Sequence, residues 1–389
     1  MTLISDTADL AGFCARQIGA DYVTIDTEFM RDRTYWPKLC LVQIAGPEET
    51  AAVDAQAAGL DLAPLFDLLL DPGVVKVFHA ARQDIEIFYH MTGKIPAPVV
   101  DTQVAAMVCG FGDAVSYESL AAKLAGARID KSSRFTDWSH RPLTEKQLQY
   151  ALSDVTHLRP AYEKLKRRID KSGRGEWVEE EMRVLTDPAT YQLDPRQAWR
   201  RLKTRSENRR FLAVLREVAA WREEEAQTRD LPRNRVLKDE SIIEIASHAP
   251  ATIDELARSR GMQRSFAEGR MGQAILAAVR RGLDLPEPEA PTPEPRLDLP
   301  GGLAPVIDLL RVLLKTKCEA HDVAQKLVAS ADDLAAIAAD DNADVPALTG
   351  WRRELFGEDA LALKQGRLAL TADRKRIRVV RIEPSTGSG

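Results

Sequence analysis

The chain has 389 residues, 44% hydrophobic and 29% charged, which suits about two to four globular domains and excludes collagen-like, mucin-like and wholly disordered chains. Its 54 Lys and Arg against 59 Asp and Glu give a net charge of -5, which excludes a uniformly cationic surface but leaves room for local basic patches. Four scattered cysteines (Cys14, Cys40, Cys109, Cys318) form no Cys-x-x-Cys pair, against a zinc cluster or a disulfide framework, and no apolar run reaches the ~18 residues of a membrane span.

At the N-terminus Asp6 and Asp9 precede the first Arg, the reverse of a signal peptide, so the expected location is cytoplasmic. β-prone runs follow over 22–26, 39–45 and 74–78, with a further short strand over 51–54. Helical patterns fill 62–70, 85–91, 117–124 and 144–168. This interleaving predicts an α/β layered fold on a mixed sheet, with 22–26 and 39–45 as antiparallel neighbours. Ser172-Gly173, Asp187-Pro188 and Asp194-Pro195 mark a soft boundary.

Beyond it the pattern turns all-helical: 211–222, 241–247, 253–258 and 272–280, then 306–314, 331–338 and 351–356 after a break at Pro346. Between the two sets, six prolines from Pro286 to Pro300 end in Gly301-Gly302. They predict a semi-rigid linker with few contacts to either side. A loose repeat, with the steps Ile243/Ala246 and Leu334/Ile337, links the two helical units. The expected domains are 1–190, 205–283, a linker over 284–302, 303–372 and a basic tail over 373–389. The origin of the terminal Ser385-Thr386-Gly387-Ser388-Gly389 stays open.

The informative residues are acidic. Asp26-Thr27-Glu28 closes the first strong strand, although two Asp-x-Glu triplets occur, about what composition alone produces. Company changes the odds. The strand over 74–78 runs into His79, and Asp84 follows in the first turns of a helix. Tyr150 and Asp154, four apart on a helix, project from one face. Four carboxylates and a phenol suit hard divalent cations such as Mg²⁺ or Mn²⁺, with no His or Cys set competing for zinc. Clustered, those carboxylates would repel one another unless a cation held them. A two-metal phosphoryl site supplies both the cation and a chemistry to match.

Asp26-x-Glu28, His79-x₄-Asp84 and Tyr150-x₃-Asp154 resemble the three exonuclease motifs of the DEDD superfamily, in its tyrosine-bearing branch, which has an RNase H-like fold. The surrounding text is similar to the ribonuclease D family: Trp36-Pro37-Lys38-Leu39, Asp101-Thr102-Gln103, and Asp137-Trp138-Ser139-His140-Arg141-Pro142-Leu143. Trp221-Arg222-Glu223-Glu224 and Leu231-Pro232-Arg233-Asn234-Arg235 resemble the opening of an HRDC (helicase and RNase D C-terminal) domain, with a second HRDC-like unit suggested after it. The likeness reaches about residue 372 and is most specific over the first 160 residues.

The resemblance implies a 3′→5′ exoribonuclease that releases nucleoside 5′-monophosphates from 3′ extensions of structured RNA such as tRNA precursors. It implies two divalent ions (Mg²⁺ or Mn²⁺) held by Asp26, Glu28, Asp84 and Asp154, a water positioned or deprotonated by Tyr150, and a terminal nucleotide cradled by Thr27 and Phe29. For His79 two readings stay open, a substrate contact and a strand-end histidine bonded to backbone. The expected partner is RNA, with no membrane, and the expected state is a monomer. Basic stretches over 194–218, 256–282 and 374–378 read as a track for the strand's phosphates. Two rivals stay open: a DNA exonuclease of repair or proofreading type, and a non-catalytic RNA-binding scaffold.

Overall fold

The structure is a computed structural model that describes residues 2–133, 136–292 and 300–382. Part of the expected linker and the terminal run from Ser385 to Gly389 lie outside the described residues.

The first unit is built on a six-stranded sheet in the order β1-β4-β3-β2-β5-β6. The strands are β1 (Thr2–Ile4), β2 (Tyr22–Met30), β3 (Lys38–Ala45), β4 (Thr50–Asp54), β5 (Val75–Phe78) and β6 (Val99–Asp101). β3 runs antiparallel to both β2 and β4, whereas β5 is parallel to β2 and to β6, so the sheet is mixed as expected. Flanking it are α1 (Thr7–Gln17), α2 (Ala63–Leu70), α3 (Arg82–Thr92), α4 (Thr102–Val108), α5 (Tyr117–Ala125), α6 (Glu145–Thr156), α7 (Leu158–Ser172) and α8 (Gly175–Leu185).

Strand alternation decides where chemistry can sit. Val23 and Ile25 turn to one face of β2 and share a core with α1, α2 and α3 through Phe13, Leu65 and Ile85. Asp26 and Glu28 turn to the other face, across which Ala151 and Leu152 of α6 pack on Leu41 and Ala52. β2 runs to Met30, four residues past the expected end, so the carboxylates lie within a strand rather than at its edge. The helix expected over 144–168 is two: α6 ends at Thr156 and α7 restarts at Leu158, with His157 between them. Pro160 is the reason, because it is tolerated in the first turn of a helix and not in a helix interior.

The first helical unit comprises α9 (Arg209–Thr228), α10 (Asp239–His248) and α11 (Arg270–Asp284), joined by one-turn pieces at Arg233–Val236, Ile253–Leu256 and Arg264–Glu268. The last unit repeats the opening of that order: α12 (Ala304–His321), a turn at Gln325–Val328, then α13 (Ala331–Ala339). A helical run over 350–364 follows, with a π-type turn at Arg353–Gly357. This unit is not wholly helical. It closes with an antiparallel hairpin, β7 (Leu368–Asp373) and β8 (Arg376–Arg381), so the expected division at 372/373 falls inside a strand.

Neither helical unit hangs free, contrary to the expectation from the linker. The loop after β2 is bonded to the first: the Tyr35 and Trp36 amides donate to Asp230 Oδ1 at 3.0 and 2.9 Å. The buried Tyr35 hydroxyl meets Glu223 and accepts from Arg233 and Gln227. The start of the linker folds back too, its Glu289 and Ala290 carbonyls accepting from Arg216 and Arg209. The last unit shares one hydrophobic core with α4, α5, α7 and α8, in which Leu313, Leu334 and Phe356 join Ala105, Leu165 and Met182. Trp177 stacks on Trp351 with centroids 4.1 Å apart, and Arg352 pairs with both Glu180 and Glu181. A side chain at Gly110 (φ +77) would meet the Asp322 backbone at 2.8 Å, so only glycine lets the two segments close. Leaving out the last strand pair and the helices before it therefore strips a core, not a surface.

Candidate active site

Each carboxylate is aimed by a separate element. Asp26 and Glu28 share a face of β2. Asp154 comes from α6, whose phase is set by Thr144: its side chain caps the Gln147 amide, and the Gln147 side chain caps Thr144 in return. That start turns Tyr150 and Asp154 inward together. Ligand atoms of Asp26, Glu28 and Asp154 lie within 4.8 Å of one another.

Asp84 joins them from the first turn of α3. α3 has no cap from its own Ala81; instead Asp101 at the end of β6 accepts from the Ala80 and Ala81 amides, both at 2.9 Å. The same carboxylate caps α4 through Gln103 N at 2.7 Å. One buried aspartate thus holds the turn at Ala80 (φ +60) that delivers Asp84. Sequence reasoning assigned Asp101 no role. The signal was its place as an N-cap before Thr102-Gln103.

The electrostatics follow from crowding. Burial pushes the Asp26 carboxyl up to about 6 against the hydrogen bond from the Thr27 amide. Burial, then the charges of Asp26, Asp154 and Asp84, pushes Glu28 up to about 10. Asp84 also stands well above the usual carboxylate range, through burial and then Asp26, with the Thr27 hydroxyl opposing. A set of carboxylates that resists ionising together suits a hard divalent cation, which removes the repulsion and takes oxygen donors.

A testable consequence is a pH-dependent stabilisation by metal. In the metal-free chain the folded state holds protons on Asp26 and Glu28 more tightly than the unfolded state, where carboxyls titrate near ~4. Their contribution to stability is therefore full below pH ~4 and drains away as pH rises through about 6 for Asp26. Mg²⁺ or Mn²⁺ replaces those protons, so the rise in melting temperature on adding the ion should be larger at pH 8 than at pH 5. Equal shifts at both pH values would count against a shared carboxylate site.

The other expected residues take the following places. Tyr150 is half-buried beside Trp138, ring centroids 6.2 Å apart, and burial followed by Asp154, Glu28 and Asp26 raises its phenol. Arg141 clamps the segment carrying Trp138 with a bidentate pair to Asp54 and bonds to the Trp138 and Cys40 carbonyls. The Thr27 hydroxyl donates to Asp84, so toward a nucleotide it can only accept. Phe29 lies at the β2–β3 register shift, packed on the α1–α3 side. Both His79 ring nitrogens are used within the protein, by Thr102 Oγ1 at 2.9 Å and the Val115 carbonyl at 3.1 Å, and burial lowers its pKa. Its ring nevertheless lines a pocket of about 210 Å³ with Asp26, Tyr150 and Asp154. Tyr117, which sequence reasoning read only as the start of a helix, walls the same pocket and donates to the Ser153 carbonyl at 2.8 Å.

Comparison with known proteins matches two family models to the first two units, one each. Residues 1–170 match the family described as 3'-5' exonuclease, and residues 211–279 match the HRDC domain. Ribonuclease D of Granulibacter bethesdensis is 53% identical over 97% of this chain and 96% of its own. That of Nitrobacter hamburgensis is 55% identical over 99% and 100%. The crystal structure of Escherichia coli RNase D, described as an exoribonuclease involved in structured RNA processing, superposes with a TM-score of 0.79 at 31% identity, covering 94% of this chain and 98% of that one.

Proposed function

This chain belongs to the ribonuclease D family, and from that premise we propose how its residues perform the reaction and on what. It is a 3′→5′ exoribonuclease: the last phosphodiester is hydrolysed, a nucleoside 5′-monophosphate leaves and a new 3′ hydroxyl remains. The observation that carries the division of labour is the convergence of Asp26, Glu28 and Asp154 beside Asp84 and Tyr150.

Asp26, Glu28, Asp84 and Asp154 would hold the divalent ions, Mg²⁺ or Mn²⁺, with Asp26 placed between the Glu28–Asp154 side and Asp84. Bound there, the ions supply activation of water and neutralisation of charge on the phosphate and the leaving oxygen. Tyr150 orients the water; an unperturbed phenol titrates near ~10, so its hydroxyl works as a positioned group rather than as a base at neutral pH. Thr27 accepts from a ribose hydroxyl, Phe29 packs near the terminal nucleotide, and the His79 edge closes the pocket wall.

The units divide as an exonuclease domain over 1–190, an HRDC domain over 205–283 and a second HRDC-like domain from 303, supported by the helix–turn–helix order that both share. Substrates are 3′ extensions of structured RNA such as tRNA precursors, handled by a cytoplasmic monomer whose units cover one another's apolar faces. Among the described residues no helix is long and apolar enough to cross a membrane.

The test is cleavage of matched RNA and DNA single strands with Mg²⁺, with Mn²⁺ and with chelator. Release of nucleoside 5′-monophosphates from RNA, stopped by chelator, is expected; preference for DNA or indifference to chelator would overturn the reading. Tyr150→Phe keeps the ring against Trp138 and removes one hydroxyl. Its kcat should fall by ~10²-fold or more with the melting temperature unchanged. Full activity across the pH range would make Tyr150 a packing residue.

A further inference from the structure

Where the loop after β2 meets the first helical unit there is a second pocket, of about 350 Å³, lined by Arg31, Arg201, Arg222, Arg233 and Asn234. Three of these arginines are anchored by acids: Arg31 bidentately by Glu86, Arg222 by Asp239, and Arg233 by Glu223. A guanidinium carries five N–H donors, so one carboxylate leaves donors over. Arg222 is only 2% exposed, and its Nε hydrogen finds no acceptor among the described residues. Arg201 is exposed and makes no direct ion pair among the described residues, its charge acting on Glu223 only alongside that of Arg233. Four guanidiniums therefore line one pocket, three of them held from behind by carboxylates and the fourth, Arg201, with no hydrogen-bonded partner among the described residues.

The position of that pocket gives its arginines a use. On β2 the first pocket opens at Ile25 and Asp26, Glu28 follows, and just past the strand's end Arg31 begins the second, three residues or about 10 Å beyond Glu28. The carboxylates stand between a pocket walled by tyrosines and one walled by arginines. Planar forks fixed from behind are the geometry that grips a phosphate.

We propose that the arginine pocket holds a backbone phosphate of the RNA strand, upstream of the bond being cut. This rests on the exoribonuclease reading above. A free phosphate or a released mononucleotide offers the same chemistry, and the test separates those sources.

Arg201→Gln suits the test because Arg201 is exposed and makes no direct ion pair among the described residues, Glu223 keeping its bonds to Arg233. The substrates are a single-stranded octanucleotide and a dinucleotide, whose one phosphate is the scissile one. In the variant the preference for the octamer, in kcat/KM, should shrink roughly fivefold, carried by KM, and the salt slope should flatten by about 0.7. Arg201→Lys should recover most of the slope. An unchanged preference and slope would overturn the proposal, as would equal losses on both substrates. A change confined to inhibition by added phosphate or nucleoside 5′-monophosphate would overturn the strand assignment. Failure of the unaltered enzyme to cleave the octamer would instead remove the exoribonuclease reading itself.

Discussion

Asp26→Asn should lower RNA hydrolysis by about three orders of magnitude or more while leaving the fold intact or slightly firmer. The two halves of that expectation have one cause. Asp26 is buried enough for its carboxyl to rise to about 6, and it raises both Glu28 and Asp84. An amide of the same shape ends that repulsion, so the metal-free melting temperature should hold or climb. The metal-induced rise should shrink with it, because the carboxylate placed between the others is gone. RNA affinity should change little, since the phosphate contacts proposed above lie elsewhere. Near-normal turnover in Mg²⁺, or a collapsed melting curve, would each sink the assignment.

The second large effect concerns the last unit. A chain ending at Thr292 should fail to stay soluble, or should melt roughly 10 °C or more below the full chain. The Pro-rich segment suggested a clean joint, but the core on its far side is shared. Ala105, Leu165, Val178 and Met182 would lose Leu313, Phe356 and Trp351, and half-buried Glu181 would lose Arg352. Large exposed apolar faces and unpaired buried charges are both costly. Circular dichroism with an apolar dye checks this; a soluble truncated chain with the full-length melting temperature and no dye binding would refute it.

What could be read from the sequence, and what could not, divides along one physical line. The grouping of Asp26, Glu28 and Asp154 was legible because motif pairs, each short enough to sit within one strand or helix, occurred in company and resembled a known set. Asp101 was not, because it caps α3 from a different strand and its work exists only once β6 lies beside β5. α1 was missed although Asp6 caps it and Leu10, Phe13, Cys14 and Gln17 mark its buried stripe. The hairpin was missed for a different reason: Arg374-Lys375-Arg376 reads as a charge run, and only the pairing of Asp373 with Arg376 makes it a turn. The shared core was beyond reach as well. An apolar helix face announces that it will be covered and says nothing of what will cover it.

That shared core also orders events at the ribosome. The face built by α4, α7 and α8 is complete once Leu185 has been made, yet most of what covers it lies between Leu310 and Leu368. At bacterial-like elongation rates the gap is on the order of ten seconds or more, far longer than helices need to form. Through that interval the nascent nuclease carries an open greasy surface. Whatever shields it meanwhile must let go in time for the last helices to arrive.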